Sequence, residues 1–199
     1  ADLFGLDPAK KTILILGGSL GARTINQTLT AALETMRAHP DIQFIWQTGK
    51  IYIEQVKQAI VAFTGEAVRH PHITAIPNLY VTDFIKDMAK AYTLADLVIS
   101  RAGAGSISEF CLLHKPVILV PSPNVAEDHQ TKNALALVNK DAALYVKDAE
   151  AMEKLIPTAL ETVADDNRLQ ALSSNIARLA LPDSARRIAE EVLKLADNA

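Results

Sequence analysis

Thr12-Ile13-Leu14-Ile15-Leu16-Gly17-Gly18-Ser19-Leu20-Gly21-Ala22 joins a short apolar run to paired glycines, and a helical pattern follows over residues 22–37. An apolar run without polar alternation suits a strand covered on both faces, as in a parallel sheet. Glycines at its end let the backbone approach a ligand closely, and the next helix offers free N–H groups to an anion. Ser19 adds a hydroxyl donor. The same residues also suit a tight turn that needs glycine for packing, and the stretch alone leaves both readings open. Its spacing is neither the G-x-G-x-x-G of dinucleotide enzymes nor a P-loop, because no Lys-Ser/Thr follows.

Working outward, the unit recurs. Further strands are predicted at residues 42–47, 79–82, 97–100, 117–120 and 143–146, with helices at 51–63 and 130–139 between them. Strand and helix alternating over this length predict an α/β fold, a doubly wound, Rossmann-like parallel sheet of about six strands. The tail, 150–199, carries helical periodicity and no strand. Pro157 and Pro182 read as lying near helix starts, and 183–197 as a last helix with Ile188, Val192 and Leu195 on one face. Residues 1–11 read as a linker, and a chain opening at Ala1 reads as a piece cut from a longer protein.

Composition narrows the classes. With 199 residues, 49% hydrophobic and 22% charged, the chain can bury one sizeable core. A net charge of −3 argues against nucleic acid as a partner, since binding it rests on a basic surface that releases counterions. No apolar run approaches the roughly 20 residues of a membrane span. The single cysteine, Cys111, sits among Phe110, Leu112 and Leu113 and reads as a buried core thiol. His70 and His72 have no acid or cysteine pattern beside them, so they carry no metal signature. Asp165-Asp166 reads as a solvated helix cap.

In a doubly wound sheet, ligands bind beyond the carboxyl ends of the strands. The strand at 97–100 runs into Arg101-Ala102-Gly103-Ala104-Gly105-Ser106, again glycines and a serine at a helix start. Glu109 follows Gly105 by one helical turn and faces the same side. An ionised glutamate only accepts hydrogen bonds, which suits the adjacent hydroxyls of a ribose; an acid in a first helical turn is also favoured by the dipole alone. Arg101 suits a phosphate or a surface ion pair. After the fifth strand, Pro121 to Gln130 form a polar loop in which Asp128 reads as a helix N-cap, with His129 and Gln130 at the same mouth.

The ordered set Gly17-Gly18-Ser19-x-Gly21-Ala22, Gln47-Thr48-Gly49-Lys50, Phe84-Ile85-x-x-Met88, Ser100-Arg101-x-Gly103-Ala104, Ser108-Glu109, Lys115-Pro116 and Glu127-Asp128-His129-Gln130-x-x-Asn133 closely resembles the carboxyl-terminal domain of the peptidoglycan N-acetylglucosaminyltransferase family. The resemblance runs from Ile13 to about Ala196. It implies one half of a GT-B glycosyltransferase, with residues 12–199 as the domain that binds UDP-N-acetylglucosamine. The implied donor-binding residues are Gly18, Ser19, Phe84, Ile85, Arg101, Ala104, Gly105, Ser106, Glu109, His129, Gln130 and Asn133. Ser19 and the backbone of Ala104, Gly105 and Ser106 would meet the diphosphate, the Ile85 backbone the uracil, and Glu109 the ribose. His129 and Gln130 would face the sugar or its phosphate.

The implied reaction is an inverting transfer to the 4-hydroxyl of a muramyl residue on a lipid-linked pyrophosphate carrier. The family's amino-terminal domain, with the acceptor site, the membrane-contacting patch and the base, has no counterpart here. The chain is therefore expected to bind donor without turnover, with no catalytic residue, metal or cofactor of its own. The full-length protein is expected at the cytoplasmic face of the plasma membrane, touching it only through the missing domain. Alternatives are a UDP-N-acetylglucosamine 2-epimerase, a glycolipid glycosyltransferase, or a donor-binding subunit that docks on a separate acceptor-domain partner. An NAD-linked oxidoreductase is disfavoured by the missing dinucleotide fingerprint.

Overall fold

The computed structural model of the chain describes residues 3–18, 21–67, 75–124 and 128–180. Ser19, the histidines at 70 and 72, Glu127, Pro182 and the helix expected at 183–197 lie outside them.

Six strands form one wholly parallel sheet in the order β3-β2-β1-β4-β5-β6. They are β1 (Lys11–Leu16), β2 (Ile42–Gln47), β3 (Leu79–Thr82), β4 (Leu97–Ser100), β5 (Val117–Leu119) and β6 (Leu144–Tyr145). Between and after them run α1 (Arg23–Ala31), α2 (Leu33–Arg37), α3 (Ile53–Thr64), α4 (Met88–Leu94), α5 (Ala104–Leu113), α6 (His129–Val138), α7 (Ala151–Ala164) and α8 (Asp166–Ala177). Side chains of a strand alternate between faces, and β1 divides accordingly. Ile13 and Ile15 join α1, α3 and α7 in one core, while Leu14 and Leu16 join α4, α5 and α6 in the other. Both faces are dry, as the uninterrupted apolar run required. Helix α8 gives Leu169 to the first core and Ile176 to the second. Cys111 is buried as expected, and burial pushes its thiol pKa up.

Three features of the helices depart from the sequence reading. The helix expected over 22–37 breaks at Ala32, whose N–H bonds Leu29 in a tighter turn. Thr28 and Thr30 donate hydroxyls back to the carbonyls of Thr24 and Asn26, each at 2.8 Å, and such back-bonding bends a helix. Pro157 lies inside α7 rather than near its start. It is tolerated there because it is exposed, so the carbonyl of Glu153 that loses its partner can turn to water. Asp128 stands before α6 with φ 54° and makes no side-chain cap bond. A capping residue needs an extended backbone to bring its oxygen over the first N–H groups, and a left-handed one does not. Asp165, by contrast, caps α8 by accepting from the N–H of Arg168 at 3.0 Å.

In the stretch read as a linker, Lys11 opens β1, and Phe4 and Leu6 are buried. Phe4 packs edge-on against Tyr80 with ring centroids 4.9 Å apart.

Candidate functional site

Since all six strands are parallel, their carboxyl ends share one edge of the sheet. The chain winds from β1 outward to β3 on one side and from β4 outward to β6 on the other, so β1 and β4 flank the point where the winding reverses. Backbone groups diverge there and leave room for a ligand. Every implied donor-binding residue that the structure describes follows β1, β3, β4 or β5, and so belongs to this edge.

The first glycine loop leans on the end of β2. A Cβ on Gly17 would lie 2.9 Å from the carbonyl oxygen of Gln47, and one on Gly21 2.7 Å from that of Thr48. Asn26 holds the wall in place: its Nδ2 donates to the Thr48 carbonyl and its Oδ1 accepts from Trp46 Nε1, each at 2.9 Å. Packing therefore accounts for Gly17 and Gly21. Gly18 differs, with φ +74° and open space where a Cβ would stand.

The second glycine loop is less encumbered. Gly103 is the N-cap of α5, without a side-chain cap, and the first helical bond runs from Ile107 N to Gly103 O at 3.0 Å. The N–H groups of Ala104, Gly105 and Ser106 thus have no partner within the helix, and all three residues are exposed. A Cβ on Gly103 or Gly105 would meet nothing. The first turn holds no acid, so nothing within the helix compensates the positive end of its dipole. Glu109 stands in the second turn, which removes the dipole as its explanation. Its Oε2 accepts from the phenol of Tyr92 at 3.1 Å, a partner that sequence did not single out.

What fixes this loop is α6. Gln130 Oε1 accepts from the N–H of Ala102 at 3.2 Å and of Ser122 at 2.8 Å, and Asn133 Nδ2 donates to the Ala102 carbonyl at 3.0 Å. Both polar backbone groups of buried Ala102 are thereby clipped by two side chains one helical turn apart. With its carbonyl oxygen committed, Gln130 has its amide NH₂ to offer a ligand.

Arg101 forms an ion pair with Asp148, both largely buried, and donates to the carbonyls of Val120 and Pro121. The other oxygen of Asp148 accepts from Thr24 at 2.9 Å. Of the two readings open for Arg101, the structure thus shows an ion pair, though one that ties three loops together. Asp148 went unread in the sequence. Its signal was its place just past β6, where the same strand-end rule applies.

Toward β3, Thr82 donates its hydroxyl to the Phe84 carbonyl at 3.0 Å, and Asp83 accepts from the Phe84 N–H at 2.8 Å. Phe84 is 50% exposed, whereas the Ile85 side chain is 3% exposed. Neither backbone polar group of Ile85 bonds to another described residue.

A cavity of about 640 Å³ opens between the α1 start and the loop after β5. Arg23, Tyr52, Ser122 and Asn124 line it, with Arg101, Gln130 and Asp148. Of the implied residues that the structure describes, it brings together Arg101 and Gln130. Phe84, Ile85, Ala104 to Ser106, Glu109, His129 and Asn133 lie along the same edge without lining it. Among the described residues no group of three or more His, Cys, Asp or Glu is gathered as a metal would need, and no helix is long and apolar enough to cross a membrane.

Residues 12–188 match the glycosyltransferase family 28 C-terminal domain. A relative from Bacteroides thetaiotaomicron, named UDP-N-acetylglucosamine–N-acetylmuramyl-(pentapeptide) pyrophosphoryl-undecaprenol N-acetylglucosamine transferase, is 72% identical over 98% of this chain and 50% of its own length. The crystal structure of an Acinetobacter baumannii MurG superposes with a TM-score of 0.75 at 27% identity, over 97% of this chain and 52% of that one. A UDP-GlcNAc 2-epimerase from Neisseria meningitidis shares the fold alone, with a TM-score of 0.65 at 14% identity, over 96% of this chain and 46% of that one. The chain spans about half the length of the curated relatives it matches.

Proposed function

The chain belongs to the glycosyltransferase family 28 C-terminal domains, and from that premise we propose that it is the donor-binding half of an N-acetylglucosaminyltransferase of peptidoglycan synthesis. The substrate bound is UDP-N-acetylglucosamine. The acceptor is an undecaprenyl-pyrophosphoryl N-acetylmuramyl pentapeptide, the lipid named in its relatives. The observation that carries this reading is the start of α5 without a side-chain cap, where the N–H groups of Ala104, Gly105 and Ser106 bond to no other described residue and Glu109 stands one turn on.

An inverting transfer leaves UDP behind as the anion, so positive charge must be in place where that charge develops. The α5 amides and dipole supply it at fixed positions, without reorganisation during the reaction. Glu109 accepts from the ribose hydroxyls, and the free N–H and C=O of Ile85 match the donor–acceptor edge of uracil. Gly18, Ser19 and Phe84 border the nucleotide, and His129 and the Gln130 amide donate toward the sugar. Arg101 and Asn133 contribute through the loop they hold. The stretch before β1 leads to an amino-terminal domain that brings the acceptor and the base for its 4-hydroxyl. That domain also makes the membrane contact, at the cytoplasmic face where a nucleotide sugar is available.

Titration calorimetry tests the reading. UDP and UDP-N-acetylglucosamine are expected to bind the chain and NAD not to bind. Preferential binding of NAD, or no binding of either uridine nucleotide, overturns it.

A further inference from the structure

Glu109 is exposed, and its own helix places no cation within reach of it. The residues three and four positions away along α5 are Gly105, Ser106, Leu112 and Leu113, none of them a cation. An exposed glutamate so placed samples several rotamers, and ordering it on binding costs conformational entropy. A neighbouring helix supplies the missing restraint. Tyr92, in α4, is 5% exposed, and its ring meets Phe110 edge-on at 6.3 Å between centroids. With the ring held, the phenol is held, and its oxygen donates to Glu109 Oε2 at 3.1 Å. We propose that Tyr92 is a positioning residue for nucleotide recognition, acting through Glu109 to fix the carboxylate that accepts the ribose hydroxyls. This rests on the reading of the site as one for a uridine diphosphate.

The chemistry is consistent in direction. A carboxylate offers about four acceptor positions, and one phenol leaves enough for two adjacent hydroxyls. Burial, and then the Glu109 carboxylate itself, hold the Tyr92 pKa far above the ordinary phenol range, so the group remains a donor. The phenol hydrogen bond is directional, and it selects one carboxylate orientation in the free protein. The gain therefore comes from pre-organisation rather than from a new contact with the ligand.

Tyr92→Phe removes the hydroxyl and keeps the packed ring, which separates positioning from core structure. The measurement is the affinity of the full chain for UDP and for 2′,3′-dideoxy-UDP, with a thermal melt alongside. The unsubstituted protein is expected to prefer UDP, and Glu109→Ala to abolish that preference. Tyr92→Phe is expected to weaken UDP binding about three- to tenfold, to leave dideoxy-UDP binding unchanged, and to leave the melt unmoved. In a Glu109→Ala background it is expected to have no further effect. If Tyr92→Phe retains the full preference for UDP, or weakens both ligands equally, the positioning role is overturned while the ribose reading stands. If the unsubstituted protein binds both ligands equally, the ribose reading falls and the proposal with it.

Discussion

At position 17 no side chain fits, for the Gln47 carbonyl oxygen lies 2.9 Å from where a Cβ would be. At position 21 the conflict is worse, because φ is +84° and both the Thr48 carbonyl and the Tyr52 ring stand in the way. Position 105 is the counter-case, with open space around it and an ordinary helical backbone. The three glycines look alike in the sequence and answer to different causes. Gly17→Ala is expected to cost about 1–3 kcal/mol through overpacking, and Gly21→Ala more, since left-handed strain adds to the clash. Gly105→Ala is expected to stabilise by up to about 1 kcal/mol through helix propensity, with UDP affinity unchanged because its role is carried by the backbone N–H. Thermal melts of the three variants check the ranking, and a destabilised Gly105→Ala variant contradicts it.

Between elements, the start of α5 owes its position to α6. A side chain at Gly103 or Gly105 would find nothing to pack against, so the loop before the helix is held from elsewhere. The Gln130 and Asn133 side chains provide one at Ala102. Asn133→Ala leaves the buried Ala102 carbonyl without its donor, which is expected to lower stability by about 1–3 kcal/mol. Because the loop aims the α5 amides, the variant is also expected to lose affinity for UDP while binding uridine nearly as before. Calorimetry with both ligands decides the point. An equal loss for nucleoside and diphosphate means that the clip supports the fold without directing the phosphate site. The resemblance implied Gln130 and Asn133 as donor-binding residues; the structure shows both holding Ala102, and we propose that Asn133 acts on the ligand through that hold.

For the whole molecule, one sheet edge carries every described residue proposed to bind the donor, and the chain spans about half of its relatives' length. We expect this chain alone, given UDP-N-acetylglucosamine and the lipid-linked acceptor, to transfer no sugar, because the proposed function assigns the base and the acceptor site to a separate amino-terminal domain. A radiolabelled-donor assay measures it directly, and lipid product formed by this chain alone sinks the expectation.

Much of the fold, and the sheet edge that holds the candidate site, was legible in the order of residues. Uninterrupted apolar runs such as Ile13 to Leu16 identify strands buried on both faces, and their alternation with helical periodicity leads to a doubly wound sheet. Spacing also marked the α5 start and Glu109, because residues just past the carboxyl end of a strand in such a sheet lie at its ligand edge. Local pattern could not show which glycine is wedged against a carbonyl, where Tyr92 points its hydroxyl, or that Arg101 is met by Asp148. Those pairings join residues far apart in the chain, such as Arg101 and Asp148, or helices that meet only once both have packed on the sheet, such as α4 and α5. The energy of a hydrogen bond or a steric contact falls off within a few ångströms, so only the folded chain, which sets those distances, could decide them.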